Sequence, residues 1–506
     1  MMQLTTMRNE PLAETSIAEP PAKRWRDHRS KLVISIVMVV GWWIALRALF
    51  FEGLHGVDDL EHVIYALQWD HLPRSHWETR IFFNALLHAS IRGFGESELA
   101  YALPSLLGSL LLLGATTFHS YRRWGTTGLV VAGMLVASLP LDVVHATVPT
   151  AHPLAVGFAA VGTAFLLGAP TWFSTGASAF CLALAILAHP AFVFFSFALC
   201  GPRAVFSDDN RQRLAALACA TLSVAIYFTL EFAIYKVVTG DPFYEMKLLE
   251  RLGPQQGVID PEYPMFSPGW FFFPLWTFFF SRQFGIMIAL GTIGVLIFRK
   301  RLPREELCLA LSCLALWLWM GYGSFKPTGY LPFWRTVDYN YALAMPVCLC
   351  ITSLAMLLPR GQVTLTVPLL GLHVLMLSCL GAWGQGIKIS KDMLGYVKSM
   401  PAAQFITDRT TNRQLFALNG CRVLPNVSIY GSGNDQPPPR NAPLVFLWNP
   451  LNQSAEPAGL KLGKVEFATE QRLRTIANLL PTGFVAGRAS LVRRPAGKAF
   501  HVISVD

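Results

Sequence analysis

The sequence predicts an all-α polytopic membrane protein of about eleven transmembrane helices, with a small α+β domain at its C-terminal end. Three observations predict it. Hydrophobic residues make up 53% of the 506-residue chain and charged residues only 14%, against roughly 25% charged in soluble proteins. Apolar runs approaching the ~20 residues that cross a bilayer as a helix recur along the chain. These runs are continuous rather than alternating, which favours helices over a barrel.

Residues 1–31 form a polar N-terminal segment. The run 32–51 is too long for a signal-peptide core and follows a leader with acids as well as bases, so it reads as a retained signal anchor. Further spans are expected at 99–118, 126–144, 153–168, 174–188, 189–200, 214–238, 283–298, 306–323, 340–358 and 363–383. The pair 174–200 also reads as one helix kinked at His189-Pro190. With Lys23, Arg24, Arg26, Arg29 and Lys31 in the cytoplasm, alternation places Arg122-Arg123, Arg203/Arg211/Arg213, Arg299-Lys300-Arg301 and Arg360 there too. That is the positive-inside pattern, and it accounts for the net charge of +10 without a nucleic-acid partner. Left outside are 52–98, the turn near 145–152, 239–282, 324–339 and the tail 384–506. Arg47, Glu231 and Lys236 lie near span ends, where long side chains reach the interface. No charge is assigned to mid-depth, which counts against a transporter of lipid-linked glycans. Eight of the nine cysteines sit in apolar runs, Cys421 alone is in the tail, and no Cys-x-x-Cys occurs; they form neither a disulfide framework nor a metal site.

The ionisable chemistry gathers in the outer segments. Asp58–Trp69 reads as a helix with Leu60, Val63, Ile64 and Leu67 on one stripe and Asp58, Glu61, His62, Tyr65 and Trp69 on the other. Such a helix would lie along the membrane surface with its polar face toward water. Asp58-Asp59 at its start are kept ionised by the helix dipole. They suit a general base that takes a proton from a hydroxyl, or a plain helix cap. Trp77-Glu78-Thr79-Arg80 follows; Arg80 suits a phosphate or an interfacial anchor. Residues 326–341 combine Lys326 and Arg335 with Tyr339 and Tyr341, fit for an anionic lipid head group or for an aromatic belt. The aromatic, Pro-broken 261–282 reads as an interfacial segment, either a polyprenyl slot or an anchor.

Asp58-Asp59 after the first span, Trp77-Glu78-Thr79-Arg80, then Gly93-Phe94-Gly95-Glu96-Ser97-Glu98 with Leu103-Pro104-Ser105, and Arg335–Tyr341 together resemble the GT-C superfamily of integral membrane glycosyltransferases. The Trp-Glu-x-Arg element looks like the dolichyl-phosphate-mannose branch. The Gly-x-Ser-Glu and Leu-Pro-Ser run looks more like bacterial enzymes that modify envelope glycans. The resemblance covers about residues 32–383. It implies transfer, with inversion, of mannose or a similar hexose from a polyprenyl-phosphate donor to a glycan, lipid or protein acceptor at the outer face of a bacterial inner membrane. It implies Asp58, then Asp59, as base, and Arg80, Lys326 and Arg335 as phosphate contacts, with Glu61, His62, Glu78, Tyr339 and Tyr341 as further candidates. These residues name no certain cofactor, and a divalent metal is left open. Two elements depart from the superfamily pattern. Ala151-His152-Pro153 stands where many members have a second acid, and Leu187-Ala188-His189-Pro190 where many have a lysine element. His152 and His189 then offer acid–base or phosphate contacts, although a histidine at a span end is also an ordinary structural residue.

The tail 384–506 alternates short apolar runs with turn residues, as a small extracytoplasmic α+β unit does, with one helix expected at 469–480. Asn426-Val-Ser and Asn452-Gln-Ser match a sequon that arises by chance. Two other readings stay open at this level: a lipid-linked glycan transporter or flippase, and a non-catalytic membrane scaffold of the same fold.

Overall fold

The computed structural model describes residues 21–51, 53–54, 57–75, 77–252, 267–268, 272, 285–322, 340–380, 385–429, 444–448, 462–470 and 498–505. Within them the chain starts with α1 (Pro21–Leu49), whose Arg29–Leu49 portion is long and apolar enough to cross a bilayer. Two helices of the first outer segment follow, α2 (Val57–Leu67) and α3 (Ile81–Phe94). The next element, α4 (Glu98–Ala137), is two antiparallel helices joined at Gly125, where φ is +63°. A Cβ on Gly133 would lie 2.9 Å from Thr117 Cγ2, and these two residues flank Gly125 symmetrically. The chain therefore turns back on itself there, as the separate runs 99–118 and 126–144 require. The second run ends earlier than expected. Pro140 breaks it, and α5 (Pro140–Ala146) carries its last residues as a separate short helix.

The core helices are α6 (Ala151–Leu166), α7 (Trp172–Ala188), α8 (Phe192–Phe206) and α9 (Asn210–Thr239). A Cβ on Gly108 would sit 2.2 Å from Pro153 O, and one on Gly157 2.3 Å from Gly108 O. Small residues thus bring the α4 and α6 backbones into contact, the packing by which apolar helices associate when water supplies no drive. His189-Pro190 does not kink one long helix; it separates α7 from α8. Thr171 and Ser174 cap α7 reciprocally. Helix α9 stops at Gly240, whose φ of +76° suits a residue without Cβ, and α10 (Tyr244–Leu252) follows. The later apolar helices are α11 (Gly285–Ile297), α12 (Arg304–Tyr322), α13 (Ala344–Leu357), entered through a 3₁₀ turn at Asn340–Leu343, the short α14 (Gly361–Thr364) and α15 (Thr366–Leu380). All four expected runs from 283 to 383 contain one of them.

The charged turns gather at one end of the bundle. Arg123 lies 3.6 Å from Glu305 and 3.5 Å from Glu306, and Arg304 pairs with Asp208. The start of α4 is at the opposite end, where Glu98 pairs with Lys391 of α16 (Gln385–Ser399). The tail continues as β1 (Gln404–Thr407), α17 (Arg409–Leu418), β2 (Val427–Ile429), β3 (Leu444–Trp448), β4 (Leu462–Glu470) and β5 (Lys498–Val505). The sheet order is β2-β1-β3-β5-β4, with β1 parallel to β2 and β3 and the remaining pairs antiparallel. Met393, Val397, Phe405, Leu415 and Leu447 form its own small core. The helix expected at 469–480 is not supported where it can be seen. Thr469 and Glu470 end a β-strand, and 471–480 lie outside the described residues.

Candidate active site

Helix α2 starts at Val57, so Asp58 and Asp59 occupy its first turn, where the helix dipole favours carboxylates. Asp59 is buried; the side chain of Asp58 lies outside the described residues. The expectation that the polar face of this helix meets water is wrong. Glu61, His62 and Tyr65 are as buried as Leu60 and Val63. The reason is that α3 covers one side of the helix and the tail covers another, with Arg413 of α17 paired to Glu61. Glu61 is thereby a docking contact of the tail.

His62 is fixed by Asn84. The Asn84 Nδ2 donates to the carbonyls of Trp77 and Glu78, both at 3.1 Å, which turns its Oδ1 to His62 Nδ1 at 2.7 Å. An amide oxygen only accepts, so Nδ1 carries the proton and Nε2 is left as an acceptor. That Nε2 faces Arg80 Nη1 at 3.4 Å. The guanidinium stacks on Trp77, 4.6 Å from the ring centre, a cation–π contact. Arg80 is therefore buried and oriented rather than reaching to an interface. Its segment is pinned from α9 and α10: Tyr235 donates to Thr79 O at 2.9 Å and Tyr244 to Pro73 O at 2.8 Å. Glu78 turns toward the loop, accepting from Arg74 N at 2.5 Å and lying 3.7 Å from His71.

A run of rings continues the site across the bundle. His152 and His189 rings lie 4.5 Å apart, His145 and His152 5.7 Å, and His145 stacks on Tyr341 at 5.7 Å. His152 Nδ1 is 3.0 Å from Thr150 Oγ1. Arg80 and His62 both lie within electrostatic reach of His152. Tyr341 links it to a buried ion pair: its hydroxyl donates to Asp142, which also pairs with Arg47 and accepts from Ser109 at 2.8 Å. Arg47 donates further to Ala137 O at 3.0 Å. It does not reach toward the interface, contrary to expectation, because Asp142 and the surrounding oxygens hold it inside.

The structure thus brings His62 beside Arg80 and joins His152, His189, His145 and Tyr341 in one run of rings, and keeps Glu61 and Glu78 in other contacts. Lys326, Arg335 and Tyr339 lie outside the described residues. Sequence reasoning missed Asn84, Asp142 and His145. The one signal for Asp142 was an acid two residues after Pro140 at the end of an apolar run. Among the described residues no three His, Cys, Asp or Glu side chains converge as metal ligands do.

No protein-family model and no curated protein sequence matches the chain. Solved structures do. ArnT from Cupriavidus metallidurans is similar in its apo state, at 14% identity and a TM-score of 0.55, over 96% of this chain and 98% of ArnT. The same protein bound to undecaprenyl phosphate matches at 13% identity and 0.55, over 93% of this chain and 97% of ArnT. An Archaeoglobus fulgidus oligosaccharyltransferase is similar at 13% identity and 0.43, over 80% of this chain and 64% of its own. Across nearly its whole length, the fold of this chain is similar to that of ArnT.

Proposed function

We propose that the protein is a membrane glycosyltransferase that moves a sugar, mannose or a similar hexose, from a polyprenyl-phosphate donor to a glycan, lipid or protein acceptor. The reaction takes place at the outer face of a bacterial inner membrane, with the N-terminus cytoplasmic and the tail outside. The observation that carries this reading is Arg80 buried and oriented against α2, whose first turn holds Asp58 and Asp59. The likeness to a protein solved with undecaprenyl phosphate supports the donor class.

In this reading Asp58, or Asp59 beside it, takes the proton of an acceptor hydroxyl. The freed oxygen attacks the anomeric carbon from the face opposite the phosphate, and the bond from that carbon to the phosphate oxygen breaks. The lipid phosphate leaves with the electron pair, and the configuration inverts. Arg80 meets the charge that develops on the phosphate, an electrostatic role fixed before the reaction. Lys326 and Arg335 are the further phosphate contacts. His152 and His189, replacing an acid and a lysine element, suit hydrogen bonds to the sugar or phosphate.

Transfer from radiolabelled polyprenyl-phosphate sugars in membranes carrying wild type, Asp58→Asn or Asp59→Asn tests it. Wild type should transfer label, and one variant should lose roughly 10²–10⁴-fold at equal expression. If wild type transfers nothing while flipping of a lipid-linked sugar depends on the protein, the reading is wrong and a transporter replaces it.

A further inference from the structure

Beside the Trp77–Arg80 segment, two acids meet at one cavity. Glu231 of α9 and Glu245 of α10 are both about nineteen-twentieths buried and lie within electrostatic reach of each other. They line a small cavity with Thr79, Leu187, Pro190, Tyr227 and Tyr235. One oxygen of Glu231, Oε2, faces no hydrogen-bond partner. Two ionised carboxylates buried against one small cavity would repel each other, so one partner keeps its proton. We propose that Glu231 and Glu245 share one proton and act as positioning residues that latch the Trp77–Arg80 segment. Its consequence for transfer rests on the reading of Arg80 as the phosphate contact.

Glu245 shares the cavity wall with Thr79 and Tyr235, and Tyr235 donates to the carbonyl of Thr79, the residue before Arg80. Burial, then Glu231 beside it, hold the Glu245 carboxyl well above the usual carboxylate range, while Thr79 and Tyr235 pull it down. The groups around the pair fit this. Tyr227 and Tyr235 face it from α9, Tyr244 stacks on Tyr235 from α10, and Tyr65 approaches Tyr235 from α2. The charged groups nearby are engaged elsewhere: Lys236 with Gly240 O, Lys247 with Asp241, Glu78 near His71, His189 against His152, and Arg80 against Trp77 and His62. A carboxyl whose folded value is raised binds more protons than the unfolded chain. Its contribution to stability therefore falls as pH rises from the ordinary glutamate range to the folded value. Above that value two buried carboxylates repel each other, and the segment loosens.

Hydrogen exchange of peptides covering 73–80, in the full-length protein in nanodiscs, reads this out without substrate, so it succeeds or fails apart from the transfer assay. Wild type and Glu245→Gln are compared at each pH from 6 to 9, which cancels the intrinsic pH dependence of exchange. Wild type should lose protection with rising pH relative to the variant, by roughly tenfold for each unit between the ordinary and the shifted value. Glu245→Gln keeps a neutral hydrogen-bonding partner and should stay flat. Glu231→Gln leaves Glu245 to titrate beside a neutral amide, should lose less protection than wild type at high pH, and serves if the first variant does not fold. Equal protection in wild type and variants across the range overturns the proposal.

Discussion

Two ion pairs at opposite ends of the bundle use the same chemistry in different surroundings. Arg47–Asp142, beside the candidate site, has side chains only 3% and 0% exposed. Arg304–Asp208, at the end that carries the charged turns, is 61% and 69% exposed. The first is enclosed by Ser109, Tyr341 and the Ala137 carbonyl, so each charge is held by fixed dipoles as well as by its partner. Water screens the second. The difference teaches that charge count does not locate function here. The buried pair is a girder under Tyr341 and the histidine run, and the exposed pair marks a topological end. Arg413–Glu61, at 43% and 9%, stands between them.

The largest expected effect is therefore at Asp142. Asp142→Ala leaves Arg47 buried with its charge uncompensated, and breaking one side of such a pair costs about 3–5 kcal/mol. Thermal unfolding in detergent should show it as a drop of several degrees or as failure to accumulate. The double variant Arg47→Met/Asp142→Ala should recover most of the loss, because removing both charges removes the desolvation cost as well. A single variant as mild as one at Arg304 would break the comparison.

The intermediate case concerns how the tail sits on α2. Arg413→Glu sets two carboxylates against each other beside Glu61, and Lys391–Glu98 remains as a second tie. The Gly420 backbone also rests on Glu96, since a Cβ there would lie 2.7 Å from that carboxylate. With one partner partly exposed, the loss should be about 1 kcal/mol. Proteolysis of the α16–β1 region should quicken accordingly, and Glu61→Arg in the same chain should restore it in a double-mutant cycle. No coupling between positions 61 and 413 would show that the tail docks by shape alone.

The fold was largely legible because a span declares itself by continuous apolar length, with no need to know its neighbours. The expected runs fall on helices throughout the described residues. What failed depended on partners far along the chain. Pro140 ends a helix inside the run 126–144, which hydropathy averages away. The polar stripe of α2 looked solvent-facing because its covers, α3 and residue 413, come later. Arg47 and Glu231 looked like interfacial side chains because Asp142 and Glu245 were not known to face them. Asn84 carries no periodic signal; its role comes from two carbonyls that only the Trp77–Arg80 turn presents. The acid pair, the arginine and the histidines were legible as candidate chemistry. Their mutual distances were not, since those are set by helix packing such as the Gly108–Gly157 contact.

The smallest effect is expected at Arg304–Asp208. Both side chains keep most of their hydration, so the Coulomb gain is small and is offset by the entropy of holding a long arginine in one pose. Arg304→Ala should change unfolding by less than about 0.5 kcal/mol, and the change should vanish at 0.5 M salt, where screening shortens electrostatic reach. The Arg47–Asp142 pair should keep its contribution at that salt, because no counter-ion reaches it. Measuring both variants at low and high salt separates the two ends by sensitivity rather than by size alone. A salt-resistant loss at Arg304 would mean that the charged turns lock helices together as firmly as the buried network does, and the division between girder and topological marker would not stand.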